Sequence, residues 1–191
     1  MHALTASFVL SLMGSALAAT AAEWRGRSIY QIITDRYALP SGANTNACDP
    51  GQQTWCGGTW NTIRENLDYI QDAGFTAIWI SPVSQNYEGP RTAYGDPYHG
   101  YWVADATKLN SRYGTSDDLK ALSDELHRRN MFLMVDVVAN NVMATSTTPD
   151  LSTYMFKDQS QYHPYCPVDW NNITSIQECW LGDTKVALPD V

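Results

Sequence analysis

Thr76-Ala77-Ile78-Trp79-Ile80-Ser81, stopped by Pro82, is a short unbroken apolar run. It reads as a strand buried on both faces. Upstream, Ile63, Leu67 and Ile70 recur at i, i+4 and i+7, the inward stripe of a helix. Thr59 is placed to cap that helix and Gly74 to stop it in the left-handed conformation, so the helix is expected to run to Ala73. Before it, Ser28-Ile29-Tyr30-Gln31-Ile32-Ile33-Thr34 is β-branched and aromatic and reads as an earlier strand. A loop rich in Gly, Asn, Asp and Pro, residues 38–58, joins the two. Downstream, residues 83–113 read as a long irregular segment. Thr115 and Ser116 then begin a second helix, with Asp117 and Asp118 in its first turn. Leu119, Leu122 and Leu126 form its apolar stripe, Arg128 and Arg129 suit its last turn, and Asn130 supplies a left-handed stop. Phe132 to Val138, FLMVDVV, is the third strand.

The order β-α-β-α-β, with continuous apolar strands, is the pattern of a parallel sheet covered by helices and joined by right-handed crossovers. An α/β fold of two kinds fits, a doubly wound sheet or a (β/α)8 barrel. No G-x-G-x-x-G follows the first strand, which argues against a dinucleotide site. Long, aromatic, cysteine-bearing loops instead follow the strands, at what is the C-terminal face of a barrel, where barrel enzymes keep their sites. From Asn140 to Val191 the periodicity fades, and this stretch reads as an irregular excursion inserted after the third strand.

Residues 3–17, ALTASFVLSLMGSAL, are apolar and small, and no Asp, Glu, Lys or Arg precedes Glu23. Ala16-Leu17-Ala18 supplies a small-x-small cleavage pattern, so residues 1–18 are expected to be a secretory signal peptide and the mature protein extracellular. The interrupted run is too short to span a bilayer comfortably, and no later segment approaches that length, so no membrane partner is expected. Twelve Lys and Arg against twenty Asp and Glu give a formal charge of −8. That balance opposes nucleic-acid binding, which needs a basic face. The seven Trp and eleven Tyr suit either core packing or stacking on the apolar faces of sugar rings. Four cysteines in a secreted chain allow three connectivities; proximity favours Cys48–Cys56 and Cys166–Cys179. A zinc site lacks the clustered Cys/His spacing it needs. Asn172-Ile173-Thr174 is the one N-x-Ser/Thr sequon and marks Asn172 as a candidate glycan acceptor.

Three segments point together to one family: Ala93-Tyr94-Gly95-Asp96-Pro97-Tyr98-His99-Gly100-Tyr101-Trp102, Asp136-Val137-Val138-Ala139-Asn140, and Glu178-Cys179-Trp180-Leu181-Gly182-Asp183 with Leu188-Pro189-Asp190. In this order they resemble the secreted α-amylases of filamentous fungi, and the likeness takes in all four cysteines. It implies the first three strands of a (β/α)8 barrel over residues 19–139, and a calcium-binding loop domain over 140–191, inserted after strand three. It also implies endo-hydrolysis of α-1,4-glucosidic bonds in starch or other α-glucans with retention, by a monomer when full length. For calcium, the resemblance implies Asn140, a main-chain carbonyl at Gln177 where close relatives have Glu, and Asp190, with a further carbonyl from beyond residue 191. For substrate it implies Gln53, Tyr101 and Trp102, with Tyr101 stacked at the cleavage point. His99 and Tyr94 match the motif as well, and His99 is read as holding the loop.

The family places His directly after the calcium-ligating Asn; this chain has Asn141, which can still donate and accept at that substrate subsite. A retaining glycosidase needs two carboxyl groups about 5–5.5 Å apart. In this family they follow strands four and five, so no catalytic residue is assigned among residues 1–191, and Asp136 is read as a supporting group. The chain is therefore expected to be an N-terminal fragment, inactive and poorly stable by itself, because three strands leave open sheet edges. The competing reading is a noncatalytic extracellular carbohydrate- or calcium-binding protein.

Overall fold

The computed structural model describes residues 19–44 and 48–191; the leader expected over 1–18 lies outside the described residues. The elements run α1 (Ala21–Arg25), β1 (Ile29–Ile32), α2 (Thr34–Tyr37), α3 (Trp60–Glu65), α4 (Leu67–Asp72), β2 (Ala77–Ile80) and β3 (Ser84–Asn86). After them come β4 (Val103–Leu109), α5 (Ser116–Arg128), β5 (Phe132–Val135), α6 (Ile173–Glu178), β6 (Leu181–Gly182) and β7 (Ala187–Leu188), with three single 3-10 turns in the loops.

The three apolar runs form one parallel sheet in the order β1-β2-β5. Ile78 lies between Tyr30 on one side and Leu133 on the other, and Ile80 between Ile32 and Val135. Ala77, Ile78 and Ile80 are fully buried, as expected for the middle strand. One cluster packs Ile63, Leu67 and Ile70 together with Leu122 and Leu126 against Ile32, Ile78 and Ile80. Both helical stripes therefore face the sheet. Burying each such side chain contributes about 1.5–3 kcal/mol. Thr59 and Thr115 each close a capping box at the start of their helices. Gly74 (φ 85°) and Asn130 (φ 56°) take the left-handed stops assigned to them.

Several expected elements differ in extent. The first strand ends at Ile32 because a side chain replaces the next rung of the ladder. Ser81 Oγ accepts from the Thr34 N–H at 2.9 Å and donates to the Ile32 carbonyl at 3.3 Å. The expected single helix 60–73 is two, broken at Asn66, whose φ of −119° leaves the helical range. The Asn66 side-chain amide donates to the Thr62 carbonyl at 2.8 Å, and the Tyr37 hydroxyl donates to the Asn66 carbonyl at 2.7 Å. The third strand ends at Val135, three residues early. The segment 83–113, read as irregular, contains the antiparallel pair β3/β4, with irregular register at Gln85.

The excursion is built from small pieces. β6 pairs with β7, and single bridges join Asn141 to Asp190 and Ala144 to Ala187. The Met143 N–H donates to the Val103 carbonyl at 2.8 Å, which fastens the excursion to β4. Two small clusters, one of Val142, Leu151 and Tyr162 and the other of Ala144, Trp180 and Ala187, serve as its core. Disulfides join Cys48 to Cys56 and Cys166 to Cys179, the pairing that proximity favours. Among the described residues no helix is long and apolar enough to cross a membrane.

A backbone contact beside β1 gives a direct test of the packing. A Cβ on Gly58 would lie 2.3 Å from the Thr34 carbonyl oxygen and 2.7 Å from the Asp35 carbonyl carbon, whereas one on Gly26 would meet nothing within 4 Å. Gly58→Ala is expected to destabilise the protein by about 1–3 kcal/mol, and Gly26→Ala to change stability by under ~0.5 kcal/mol. Urea midpoints of the two variants check this, and equal midpoints refute it.

Candidate functional site

The polar and aromatic residues gather where the three parallel strands end. Asp35 follows β1, the loop from Pro82 to Trp102 follows β2, and Asp136 follows β5. Each comes from a different loop, so the contacts between them define the shape of this face.

Asp136 is the junction. Its Oδ2 accepts from the Tyr101 hydroxyl at 2.7 Å and from Trp79 Nε1 at 3.1 Å. The first bond fixes the loop after β2 onto the end of β5, and the second fixes the same oxygen to the middle strand. Burial, then the hydrogen bond and charge of Asp136, push the Tyr101 phenol up to about 12. Its O–H therefore remains a donor across the physiological range.

His99 supports Tyr101 from the side. Its Nδ1 accepts from the Tyr101 N–H at 3.0 Å, and the two rings stack at 5.9 Å with planes 21° apart. The imidazole also meets Trp102 edge-on at 4.8 Å. An Nδ1 that accepts must be unprotonated. Burial, and after it the Arg36 guanidinium, pull His99 down to about 4. Gly100, between the two aromatic residues, has φ 88°, and a Cβ there would lie 3.0 Å from the Pro82 carbonyl oxygen. Asn86 completes the turn, accepting from the Trp102 N–H at 2.8 Å and donating to the Gly100 carbonyl at 2.9 Å.

On the β1 side, Asp35 is 1% exposed. Its two oxygens accept from the Cys56 and Gly57 N–H groups at 2.8 and 2.9 Å. Burial raises its pKa against the pull of those donors and of Arg36. Both oxygens are committed to the loop, so Asp35 positions structure. Arg36 lies over the Tyr98 ring at 3.8 Å, donates to the Thr54 carbonyl at 2.7 Å and to both sulfurs of the Cys48–Cys56 disulfide. Gln53 stands in this loop with φ 53°, and its carbonyl accepts from the Asp96 N–H at 2.8 Å. Gln53 and the Tyr101–Trp102 pair are thus tied into one assembly of loops. Trp102 and Tyr94 line a cavity of about 340 Å³ with Gly182, Asp183, Val186 and Leu188. The Tyr94 hydroxyl donates to Asp183, bringing the β6–β7 hairpin to the same rim.

The remaining residues lie apart from that assembly. Asn141 is buried in its bridge to Asp190 and lines a separate pocket of about 200 Å³ with Val103, Ala106, Val142 and Phe156. Asn140 and Asp190 come together: the Asn140 amide donates to Asp190 Oδ1 at 2.5 Å. His163 Nδ1 lies 2.9 Å from Asp190 Oδ2, and the Asp190 carbonyl accepts from the His163 N–H at 3.0 Å. The buried carboxylate and the amide oxygen suit a hard cation, which takes oxygen ligands. Gln177 sits exposed near the end of α6 and is hydrogen-bonded to neither. Among the described residues no three His, Cys, Asp or Glu side chains converge as a metal cluster.

Sequence reasoning placed Tyr101 and Asp136 at strand ends but did not pair them, and it missed Arg36 and His163. The Arg36 guanidinium adjoins the buried Asp35 at 3.5 Å, an arrangement that adjacency in sequence alone does not reveal. As a whole the site offers aromatic faces with hydrogen-bonding rims, a surface suited to the apolar face and hydroxyl edge of a pyranose. Both Asp35 oxygens are taken by main-chain donors, whereas Asp136 is held through Oδ2 alone.

Residues 31–186 match the family described as Alpha amylase, catalytic domain. Alpha-amylase 1 of Schizosaccharomyces pombe is 46% identical over 194 residues, covering 99% of this chain and 31% of that protein. Alpha-amylase 1 of Lipomyces kononenkoae is 48% identical over 176 residues, covering 90% of this chain and 28% of its own length. Among solved structures, an alpha-amylase from Malbranchea cinnamomea superposes with a TM-score of 0.83 at 44% identity, covering 91% of this chain and 37% of that one. The Geobacillus thermoleovorans alpha-amylase, solved in complex with acarbose, gives 0.67 at 32% identity, covering 88% and 34%. The chain therefore spans about a third of the length of these relatives. The likeness selects the barrel over the doubly wound sheet.

The half-buried, neutral His99 makes stability depend on pH. Its folded pKa of about 4 lies below the ordinary 6.5, so between these values the unfolded chain takes up a proton that the folded chain refuses. Stability is complete above pH 6.5 and falls as the pH drops towards 4, by roughly 3 kcal/mol in all. His99→Gln should flatten this slope in urea denaturation at stepped pH. An unchanged slope would show that His99 is not its source.

Proposed function

The chain belongs to the α-amylase family, and from that membership we propose that the protein of which it forms part cleaves internal α-1,4-glucosidic bonds of starch and related α-glucans, with retention at the anomeric carbon. The observation that carries this reading is the Tyr101 ring held at the end of β5 by Asp136 and backed by His99. An aromatic face fixed in this way receives a sugar ring without first having to be ordered, which lowers the entropic cost of binding. Gln53 and Trp102 extend the surface along the same loops, and Asn141 stands where the family has an imidazole. In this reading residues 1–18 direct secretion, 19–139 form the first part of the barrel, 140–191 form the inserted domain, and the complete protein is a monomer. The two carboxyl groups of the chemistry come from strands outside residues 1–191.

Calcium belongs to the same proposal. Asp190 and the amide oxygen of Asn140 would hold the ion, with the Gln177 main-chain carbonyl brought to them on binding. The ion supplies a positive centre that ties the excursion to the end of β5. No chemical step is assigned to it.

Two measurements test these readings. In the full-length protein, Tyr101→Ala should lower kcat/KM on amylose by about 10²-fold or more, corresponding to ~3 kcal/mol of transition-state binding, while Tyr101→Phe keeps most of the stacking. A Tyr101→Ala enzyme as active as the parent would remove the support for a sugar platform. Separately, chelation should lower the Tm of the full-length protein by roughly 5 °C or more, since a ligand that binds only the folded state stabilises it by about 3–4 kcal/mol at 100- to 1,000-fold over its Kd. Asp190→Ala should abolish the rise in Tm on adding calcium back; an undiminished rise would place the ion elsewhere.

A further inference from the structure

Trp170-Asn171-Asn172-Ile173-Thr174 holds the largest apolar side chain that the excursion leaves in solvent. Trp170 is 69% exposed, and Ile173, two residues beyond Asn171, is 68% exposed. The segment is nevertheless well ordered by its own hydrogen bonds. The Asp169 carbonyl accepts from the Asn172 N–H at 3.0 Å, and Asp169 Oδ1 accepts from the Asn171 N–H at 3.0 Å, which together close a reverse turn over 169–172. The Asp169 N–H donates to Ser175 Oγ at 2.8 Å, fastening the turn to α6. Cys166–Cys179 closes the whole stretch. The ordered turn thus presents an exposed indole two residues before the sequon asparagine.

The sequon stands beside that ring in the chain. Asn172 is exposed, and its Oδ1 accepts from the Thr174 and Ser175 N–H groups at 3.1 and 3.4 Å. Its Nδ2 and the Thr174 hydroxyl take part in no hydrogen bond among the described residues. The acceptor half of the amide is thus used to start α6, and the donor half is left to react. Trp170 precedes Asn172 by two residues on the same turn.

We propose that Asn172 carries an N-linked glycan whose first N-acetylhexosamine lies against the indole of Trp170. The attachment is a group transfer from a polyprenyl-pyrophosphate-linked oligosaccharide of the secretory route. A bond forms between Asn172 Nδ2 and the anomeric carbon of the donor sugar as the bond from that carbon to the pyrophosphate oxygen breaks. The amide loses one proton, and the polyprenyl pyrophosphate leaves with the electron pair. No oxidant or reductant enters. Oδ1 is untouched, so the cap of α6 survives the modification. The C–H face of the sugar covers the indole, and the hydroxyls remain in water. The inference rests on the extracellular reading above but not on the activity.

The test uses the full-length protein secreted from a eukaryotic host by its own leader. Peptide mass before and after an amide-releasing glycosidase, which leaves Asp at 172, is expected to show the site occupied. Thr174→Ala should leave it bare while keeping the Asn172 cap, because that cap uses the main-chain N–H of residue 174. Loss of the glycan, by Thr174→Ala or by enzyme, should lower the Tm by about 2–4 °C. In a Trp170→Ala background the same loss should move the Tm by less than ~1 °C, because the stacking partner has gone. Secretion with an unmodified Asn172 overturns the site. An occupied site whose removal shifts the Tm equally with and without Trp170 overturns the stacking. A protein that stays in the cytosol with Asn172 bare overturns the extracellular reading and the glycan with it, whatever the starch assay reports.

Discussion

Oδ2 of Asp136 is the point through which the loop face of this sheet is held. A carboxylate oxygen at the end of a parallel strand could face solvent, but here it takes two protein donors, one from the central strand at Trp79 and one from the following loop at Tyr101. Hydrogen bonds to an ionised acceptor contribute about 1.5–3 kcal/mol each, roughly twice a neutral pair. Removing the acceptor would leave an indole N–H and a phenol without a partner, and would free a loop of some length from β5. Everything further out depends on that contact. The orientation of Tyr101 sets where His99 can stack, and His99 in turn meets Trp102.

Burial, and after it the charge of Arg36, explain why the histidine at this junction stays neutral. Arg36 is held by Thr54, by the disulfide sulfurs and by Tyr98, so its positive charge has a fixed position next to the imidazole. A second cation on His99 would have to be buried beside the first. It would also replace the lone pair that accepts the Tyr101 N–H with a proton. Geometry and electrostatics thus favour the same protonation state, and this consistency is what keeps an aromatic platform in place without bound sugar.

Much of this architecture was legible in the chain itself, for a physical reason. Ile78, Ile80, Leu122 and Leu126 are buried by periodicity, and periodicity survives any choice of partner. The glycine and asparagine stops at 74 and 130 were legible because positive φ restricts residue type. The strand pair β3/β4 was not, because residues 103–109 (VADATKL) alternate weakly and three of the seven face water. The early end of β1 and the break at Asn66 were hidden for a different reason. They are set by side chains that take over main-chain partners, Ser81 at the end of the first ladder and Asn66 against Thr62. Such competition depends on distances that no sequence pattern carries. The site divides along the same line: Tyr101 and Trp102 stand in a recognisable motif, whereas the pairing of His163 with Asp190 joins residues 27 apart through a loop without periodicity.

The excursion poses the sharper physical problem. Its two clusters have three buried members each, far short of what holds a free-standing domain. Small cores of this kind are stable only with cross-links, and three features here act as such. Cys166–Cys179 closes a 13-residue separation, worth about 3 kcal/mol on the loop-entropy account. The bridges at Asn141 and Ala144 and the Met143 hydrogen bond suture the segment to β4 and to its own far end. Asp190 draws Asn140 and His163 to one carboxylate, so three distant stretches of chain meet there. That carboxylate is buried, and burial of charge is costly without full pairing. The cation proposed above would add to that pairing and give a further cross-link at the same point. The same residues would then serve the fold of the excursion and its attachment to the sheet, with no need for a larger apolar core.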